Sequence, residues 1–372
     1  MSLEHYSTLL EKYYDCNVLN NLNEEKGTKI LHQLFNKYKE TNKTLATLIK
    51  NYAGEPKKPI YDNISGPFSL SIHTSKEFKK TIYVFGESHG YEFGCDLLQP
   101  TITKYLSELF KNTDVFIDFF IEDGKIYNEF DENWYIIKLQ SFFRDCVDQN
   151  QKCKFPLIRA HYTDMRNEHT NDMVNLMFKI STNTYNKSIE LTKEIHKGLL
   201  KILEFNSYEK FILHLYDTTL TPTIKKEIQK SNLDSEMFYI YMEQNFESMI
   251  DENKFNSLKT NMVKYMSKNR TDRHVILSLQ ILNVITEFVL HMMDVYLLAR
   301  IFKTFKNSGR NQPDGVYNAV IYTGNEHADN YRLFLESLDF ITVNSIDSSE
   351  KDKIVRCLNM KNIQQPFFSK LY

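Results

Sequence analysis

A chain of 372 residues is long enough to bury a sizeable core without external staples, as one large domain carrying an insertion or as two domains. Hydrophobic residues at 42%, charged residues at 25% and a formal net charge of -2 exclude a polyelectrolyte, so nucleic acid is not the expected partner. The five cysteines, Cys16, Cys95, Cys146, Cys153 and Cys357, are odd in number, irregularly spaced and without a CxxC. They predict neither a disulfide framework nor a zinc finger, and they suit a reducing compartment.

The opening MSLEHYSTLLEKYYD is acidic where a signal peptide is basic, and no apolar run follows it, so the expected location is intracellular. Over residues 1–60, Leu9, Leu10 and Tyr13, then Ile30, Leu31, Leu34, Phe35 and Tyr38, recur at helical spacing and predict a helical lead-in. Pro56, Pro59, Gly66 and Pro67 break that pattern. FSLSIHTS, at 68–75, alternates like a half-buried strand, and TIYVF, at 81–85, reads as a strand covered on both faces that ends at Gly86. Residues 95–110 are helical in pattern, with Leu97, Leu98, Ile102, Tyr105, Leu106 and Leu109 on one face; residues 114–121 form a strand that ends in Glu122. Strand, helix and strand of this kind join by a right-handed crossover into a parallel sheet. A helix over 134–147 and a short strand over 155–162, running into TDMR, complete a first α/β half at 61–170.

Residues 171–271 show no strand pattern but several amphipathic segments (189–205, 235–249, 255–266), which predicts a helical insertion. A long helix over 272–306 follows. Its apolar run is interrupted by Glu287, His291, Asp294 and Arg300, each costly in lipid, so it is expected to be a buried helix and not a membrane span. A polar loop, a strand over 317–323 and a helix over 329–337 close the second α/β half, 272–372. The fold class predicted is α/β, with a central, mostly parallel sheet flanked by helices and a large helical insertion.

Two loops share one grammar, an apolar strand followed by Gly, two residues and His: YVFGESHG at 83–90 and VIYTGNEHADN at 320–330. The glycine and histidine content would give about 0.3 such matches by chance, so two matches at strand ends carry information. In a parallel sheet the carboxyl ends of the strands open onto the ligand crevice. Three predicted strands end in Glu87 and His89, in Glu122 and in His327. Glycine at the exit allows a sharp turn and an approach unobstructed by a Cβ. Two imidazoles and two carboxylates suit either of two chemistries. They can bind a divalent ion (Mn, Co or Zn) that activates water, with His89, Glu122 and His327 as ligands, or a histidine can act directly as general base. Each residue also has a plainer reading, the histidines as helix caps and Glu122 as a solvated carboxylate.

A second cluster, LIRAHYTDMR, places Arg159 and His161 on one strand face, with Asp164 and Arg166 in the exit loop. For Arg159 and Arg166 an anion-binding or orienting role competes with a structural ion pair. Glu287, His291 and Asp294 share a face of the long helix at i, i+4 and i+7, and are expected to form a buried polar network that anchors the helix. There is no GxGxxG, P-loop, HExxH or GxSxG, and nothing near Cys95 argues for a lowered thiol pKa.

GESHG, Glu122 and GNEH together resemble the superfamily of erythromycin esterases, the haem-binding ChaN lipoprotein and the TraB and Tiki proteins. The resemblance covers the two α/β segments, about half the chain, and leaves the helical middle unexplained. It implies a site of Glu87, His89, Glu122 and His327, with Arg159 or Arg166 as basic partner. The esterase form implies water activated without a metal, the Tiki form a metal-dependent peptidase, and the ChaN form haem contacted by His89 or His327. The implied partner is a small-molecule or peptide substrate. Tiki proteins are membrane-anchored and act outside the cell, whereas no span is expected here. The Asn-, Lys- and Ile-rich chain, with its YTGNEHADNYRLFL and MMDVYLLARIF segments, also resembles proteins of large DNA viruses, where an idle scaffold on the same fold is the competing reading.

Overall fold

The computed structural model describes residues 61–88, 95, 99–122, 135–148, 153–163, 204–247, 251–266, 291–305, 312–350, 353–354 and 356–368. The chain divides into two compact units, Met1–Ile60 and Tyr61–Tyr372, and every described residue belongs to the second. The predicted lead-in helices lie outside the described residues, as do nearly all of the predicted helix over 189–205 and the first part of the long helix.

Six strands form the central sheet: β2 (Ser69–Ser75), β3 (Lys80–Glu87), β4 (Ile117–Ile121), β5 (Ile158–Tyr162), β6 (Asn318–Gly324) and β7 (Ile341–Asp347). Their order is β5-β4-β6-β3-β2-β7. The pairs β4/β5, β4/β6 and β3/β6 are parallel, while β2 runs antiparallel to both β3 and β7, so β2 alone opposes the others. β1 (Asn63–Ser65) pairs with β10 (Cys357–Asn359), and β8 (Ser349–Glu350) with β9 (Lys353–Ile354), as two small ribbons. The described helices are α1 (Ile102–Asn112), α2 (Tyr135–Asp148), α3 (Tyr208–Thr219), α4 (Pro222–Lys230), α5 (Ser235–Glu247), α6 (Glu252–Met266), α7 (291–301) and α8 (Asn325–Ser337). The chain is thus α/β, with a mostly parallel central sheet between helices.

Strand alternation divides the apolar residues between two cores. Tyr83, Phe85, Phe119, Ile121, Val320 and Tyr322 face α1 and α2, and meet Leu106, Phe110, Leu139 and Phe143. Ile82, Val84, Phe120, Ala319 and Ile321 face the other way, onto Phe211 of α3, Met242 of α5, Leu298 of α7 and Leu335 of α8. The near-continuous apolar runs of β3 and β4 follow from burial on both faces.

This division locates the crevice. The helices that follow β3 and β4, α1 and α2, lie on one face, whereas α8, which follows β6, lies on the other. β6 sits between β4 and β3, so the chain leaves adjacent parallel strands toward opposite faces on both sides of β6. Such a switch point opens a cleft at the carboxyl ends of the strands.

Element boundaries moved for local reasons. α1 starts at Ile102, not Cys95, behind Pro100, with Thr101 capping through a bond from the Lys104 amide. β3 does not end at Gly86 but continues through Glu87, because Gly86 pairs with Thr323 and Glu87 with Gly324 of β6. α8 begins at Asn325, four residues before the predicted start at 329. The helical run from α7 stops at Ile301, short of the predicted end at 306, and Lys303 forms an isolated bridge with Ser231. β7 escaped prediction because Ser, Asn and Asp dilute its alternation; it is a sheet edge with Ile341 and Val343 exposed.

The reading of the cysteines is overturned. Cys95 and Cys357 form a disulfide across 262 residues, and Cys146 and Cys153 form another across 7. Sequence spacing could not show the first, since its partners meet only because β10 pairs with β1 and the Cys95 amide donates to Ser65 Oγ at the end of β1.

Candidate active site

The two Gly-x-x-His motifs leave neighbouring parallel strands one residue out of register, Glu87 of β3 standing opposite Gly324 of β6. Their contact is close. A Cβ on Gly86 would lie 2.3 Å from Asn325 Oδ1 and 2.4 Å from Ser69 Oγ, so only glycine lets β3 pass beneath the start of α8. Ser69 in turn donates to Asn325 Oδ1 at 2.6 Å and accepts from Arg332 Nη2 at 2.8 Å, which ties α8 to β2.

Glu122 follows β4 directly and is 3% exposed. Its Oε2 accepts from the Thr323 hydroxyl at 2.8 Å and from the Gly324 amide at 2.7 Å. Gly324 is the N-cap of α8 and makes no side-chain cap of its own. The positive end of a helix dipole and an amide with no partner within the helix both favour an anion, and Glu122 supplies one from the neighbouring strand. This explains the early start of α8, and it places His327 in the first turn.

His327 meets a carboxylate from a neighbouring helix of the same layer. Its Nδ1 lies 2.7 Å from Oδ1 of Asp294 on α7, a residue with no exposed surface. The other oxygen, Oδ2, accepts from the Tyr241 hydroxyl at 2.7 Å and from Asn330 Nδ2 at 3.2 Å, with His291 Nδ1 at 3.3 Å. Burial alone would push the Asp294 carboxyl up, but the charge of His327 and the bonds from His291 and His327 outweigh it and hold it well below the usual carboxylate range. The hydroxyl of Tyr331, pushed well above its ordinary value by burial, lies in the field of both Asp294 and Glu122.

Glu122, His327 and Asp294 therefore gather on the α7/α8 side of the sheet at the switch point. Glu87 ends at the same edge but, by strand alternation, on the other face, where Tyr322 donates to its Oε2 at 2.5 Å. His89 and Arg166 lie outside the described residues, as does Glu287. Arg159 is not brought to the cluster. It forms a two-pronged pair with buried Asp118, Nε to Oδ1 at 2.6 Å and Nη2 to Oδ2 at 3.1 Å, and it donates to the carbonyls of Pro313 and Gly315. Asp118 is four residues before Glu122, about 13 Å along the strand, so the structural ion pair is the alternative realised.

Asp294 and Tyr241 are the residues that sequence reasoning did not place in the site. For Asp294 a signal existed, since its spacing from His291 marked a polar stripe on an apolar helix. Tyr241 had none, because a tyrosine in an amphipathic helix reads as core. Among the described residues no group of three or more His, Cys, Asp or Glu side chains is arranged to hold a metal ion. The donor chemistry still suits one: a histidine whose Nδ1 is held by a carboxylate is oriented equally as base or as ligand. No protein-family model, curated protein or solved structure matches the chain, so the resemblance to the esterase and Tiki superfamily rests on its short motifs. Among the described residues no helix is long and apolar enough to cross a membrane.

Proposed function

We propose that the chain hydrolyses ester or amide bonds of a small molecule or peptide, with His327 as the base that activates water. The observation that carries this reading is the 2.7 Å contact between His327 Nδ1 and Oδ1 of fully buried Asp294. A carboxylate at Nδ1 selects the tautomer whose basic lone pair is on Nε2, and it stabilises the imidazolium formed when that lone pair takes a proton. Water deprotonated by Nε2 attacks the carbonyl carbon. The same proton then passes from Nε2 to the departing oxygen or nitrogen, which returns the imidazole to its starting state.

Glu122 holds the start of α8, and so the place of His327, and in this reading the first motif would supply Glu87 and His89. A divalent ion, when bound by His327 Nε2, Glu122 and His89, would supply an acidified water to the same reaction. Turnover of p-nitrophenyl esters and amino-acid anilides, with and without Mn²⁺, Co²⁺ or Zn²⁺, tests the reading. His327→Ala and Asp294→Asn are expected to lose about 100-fold or more in rate, the usual worth of a general base. Variants that turn over as fast as the parent chain would refute it.

A further inference from the structure

The helical residues between β5 and β6 do more than cover one face of the sheet, because α5 reaches the Asp294–His327 pair. The Tyr241 hydroxyl donates to Asp294 Oδ2 at 2.7 Å, and Tyr241 is 4% exposed. Its ring is fixed edge-on against Phe334 of α8, centroids 5.5 Å apart at 89°, so the hydroxyl cannot swing away without breaking core packing. Burial, followed by the Asp294 charge, holds the phenol well above its ordinary value, which keeps it a donor.

We infer that Tyr241 is a positioning residue for the reaction proposed above: it binds Oδ2 of Asp294 so that Oδ1 is aimed at His327, and its bond sets how much charge Oδ1 carries. The inference rests on the reading of His327 as base. The geometry is specific. Oδ1 accepts from His327, while Oδ2 accepts from Tyr241 of α5 and Asn330 of α8 and lies 3.3 Å from His291 Nδ1 of α7. Tyr331 of α8 also lies in the field of this carboxylate, and Glu122 acts on Tyr331 from the end of β4. Of these groups Tyr241 alone comes from α5, in the helical stretch that precedes α7. A donor on one carboxylate oxygen withdraws charge from the other, so the strength of the Asp294–His327 bond depends on a residue that touches neither the imidazole nor any reacting atom.

The proton on His327 Nδ1 reads this directly, without a substrate. In ¹⁵N-histidine-labelled protein at fixed pH, a low-field Nδ1 proton signal is expected for His327, and Asp294→Asn should abolish it. Tyr241→Phe, which removes one oxygen and keeps the ring, should move the signal to lower field as Asp294 loses a competing donor. Difluorotyrosine at position 241, a stronger donor, should move it to higher field. If Tyr241 only packs, Tyr241→Phe lowers the melting temperature and leaves the signal in place, and the inference is overturned. Absence of the low-field signal from the parent protein overturns it as well. The expected shifts in a protein that cleaves no ester or amide would uphold Tyr241 and remove the hydrolase reading. Turnover lost in His327→Ala with an unmoved Tyr241→Phe signal would do the reverse.

Discussion

Gly86 was legible as a position that excludes a side chain, but what approaches it is the chain's own Asn325 and Ser69, at 2.3 and 2.4 Å from where a Cβ would stand. Sequence gives the need for space and not its occupant. Gly86→Ala is therefore expected to displace the first turn of α8 and break the Ser69–Asn325 bond. Overpacking of this kind costs about 1–3 kcal/mol, measurable as a lower urea midpoint. Glu122 shows the same limit. Its place at a strand end was readable, whereas its partner, the Gly324 amide, is 202 residues away and belongs to a helix whose start the carboxylate itself determines. Glu122→Ala leaves that buried amide unmet and should cost about 1–3 kcal/mol, while Glu122→Gln keeps an acceptor and should cost less. Equal stability of Glu122→Ala and the parent in chemical denaturation would show that the cap contributes nothing.

At the scale of elements, period two correctly put Arg159 and His161 on one face of β5, yet their role came from β4. Asp118 pairs with Arg159 in the sheet register, and its Oδ1 lies 2.8 Å from His161 Nε2. Register between strands is a tertiary fact that no spacing within one strand contains. Arg300 of α7 donates to His161 Nδ1 at 3.0 Å and to Glu227 of α4, so the network joins β4, β5, α7 and α4. A ring that accepts at Nδ1 and donates at Nε2 is neutral. Burial lowers the His161 pKa to about 4 from 6.5, the bond and charge of Asp118 opposing this and the charges of Arg300 and Arg159 assisting. His73, buried beside Arg332, is lowered to about 4 for the same first reason.

Between these values the unfolded chain takes up protons that the folded chain refuses, so stability falls as pH drops from 6.5 toward 4 and is constant in this respect above 6.5. For His161 the ceiling is on the order of 3 kcal/mol. Urea midpoints should be level above neutrality and decline through that window, and His161→Gln should flatten part of the decline. A midpoint that does not change across the window would show that both rings are protonated in the folded state.

For the whole molecule, the sequence carried the alternation of strands and helices, and with it the parallel sheet, because each strand's composition records burial on two faces. It could not carry the strand order, in which β6 is inserted between β3 and β4 from 200 residues downstream of β4, and that insertion creates the switch point where Glu122 caps α8. The cysteines were misread for the same reason, since Cys95 and Cys357 become neighbours only when β1 and β10 pair. Bridges of this kind persist in oxidising surroundings, the reverse of the compartment that the cysteine spacing suggested. Four of the five cysteines are paired in these bridges, and the fifth, Cys16, lies outside the described residues. Denatured, unreduced protein should therefore titrate as about one thiol per chain, the odd cysteine. Non-reducing peptide maps should join the peptides of Cys95 and Cys357. Cutting that long closure by Cys95→Ser with Cys357→Ser should lower stability by about 2–5 kcal/mol, and more than the matching change at Cys146 and Cys153, because the loop closed in the unfolded chain is far longer. Five titratable thiols in protein purified without reductant would show that the chain folds with its cysteines reduced.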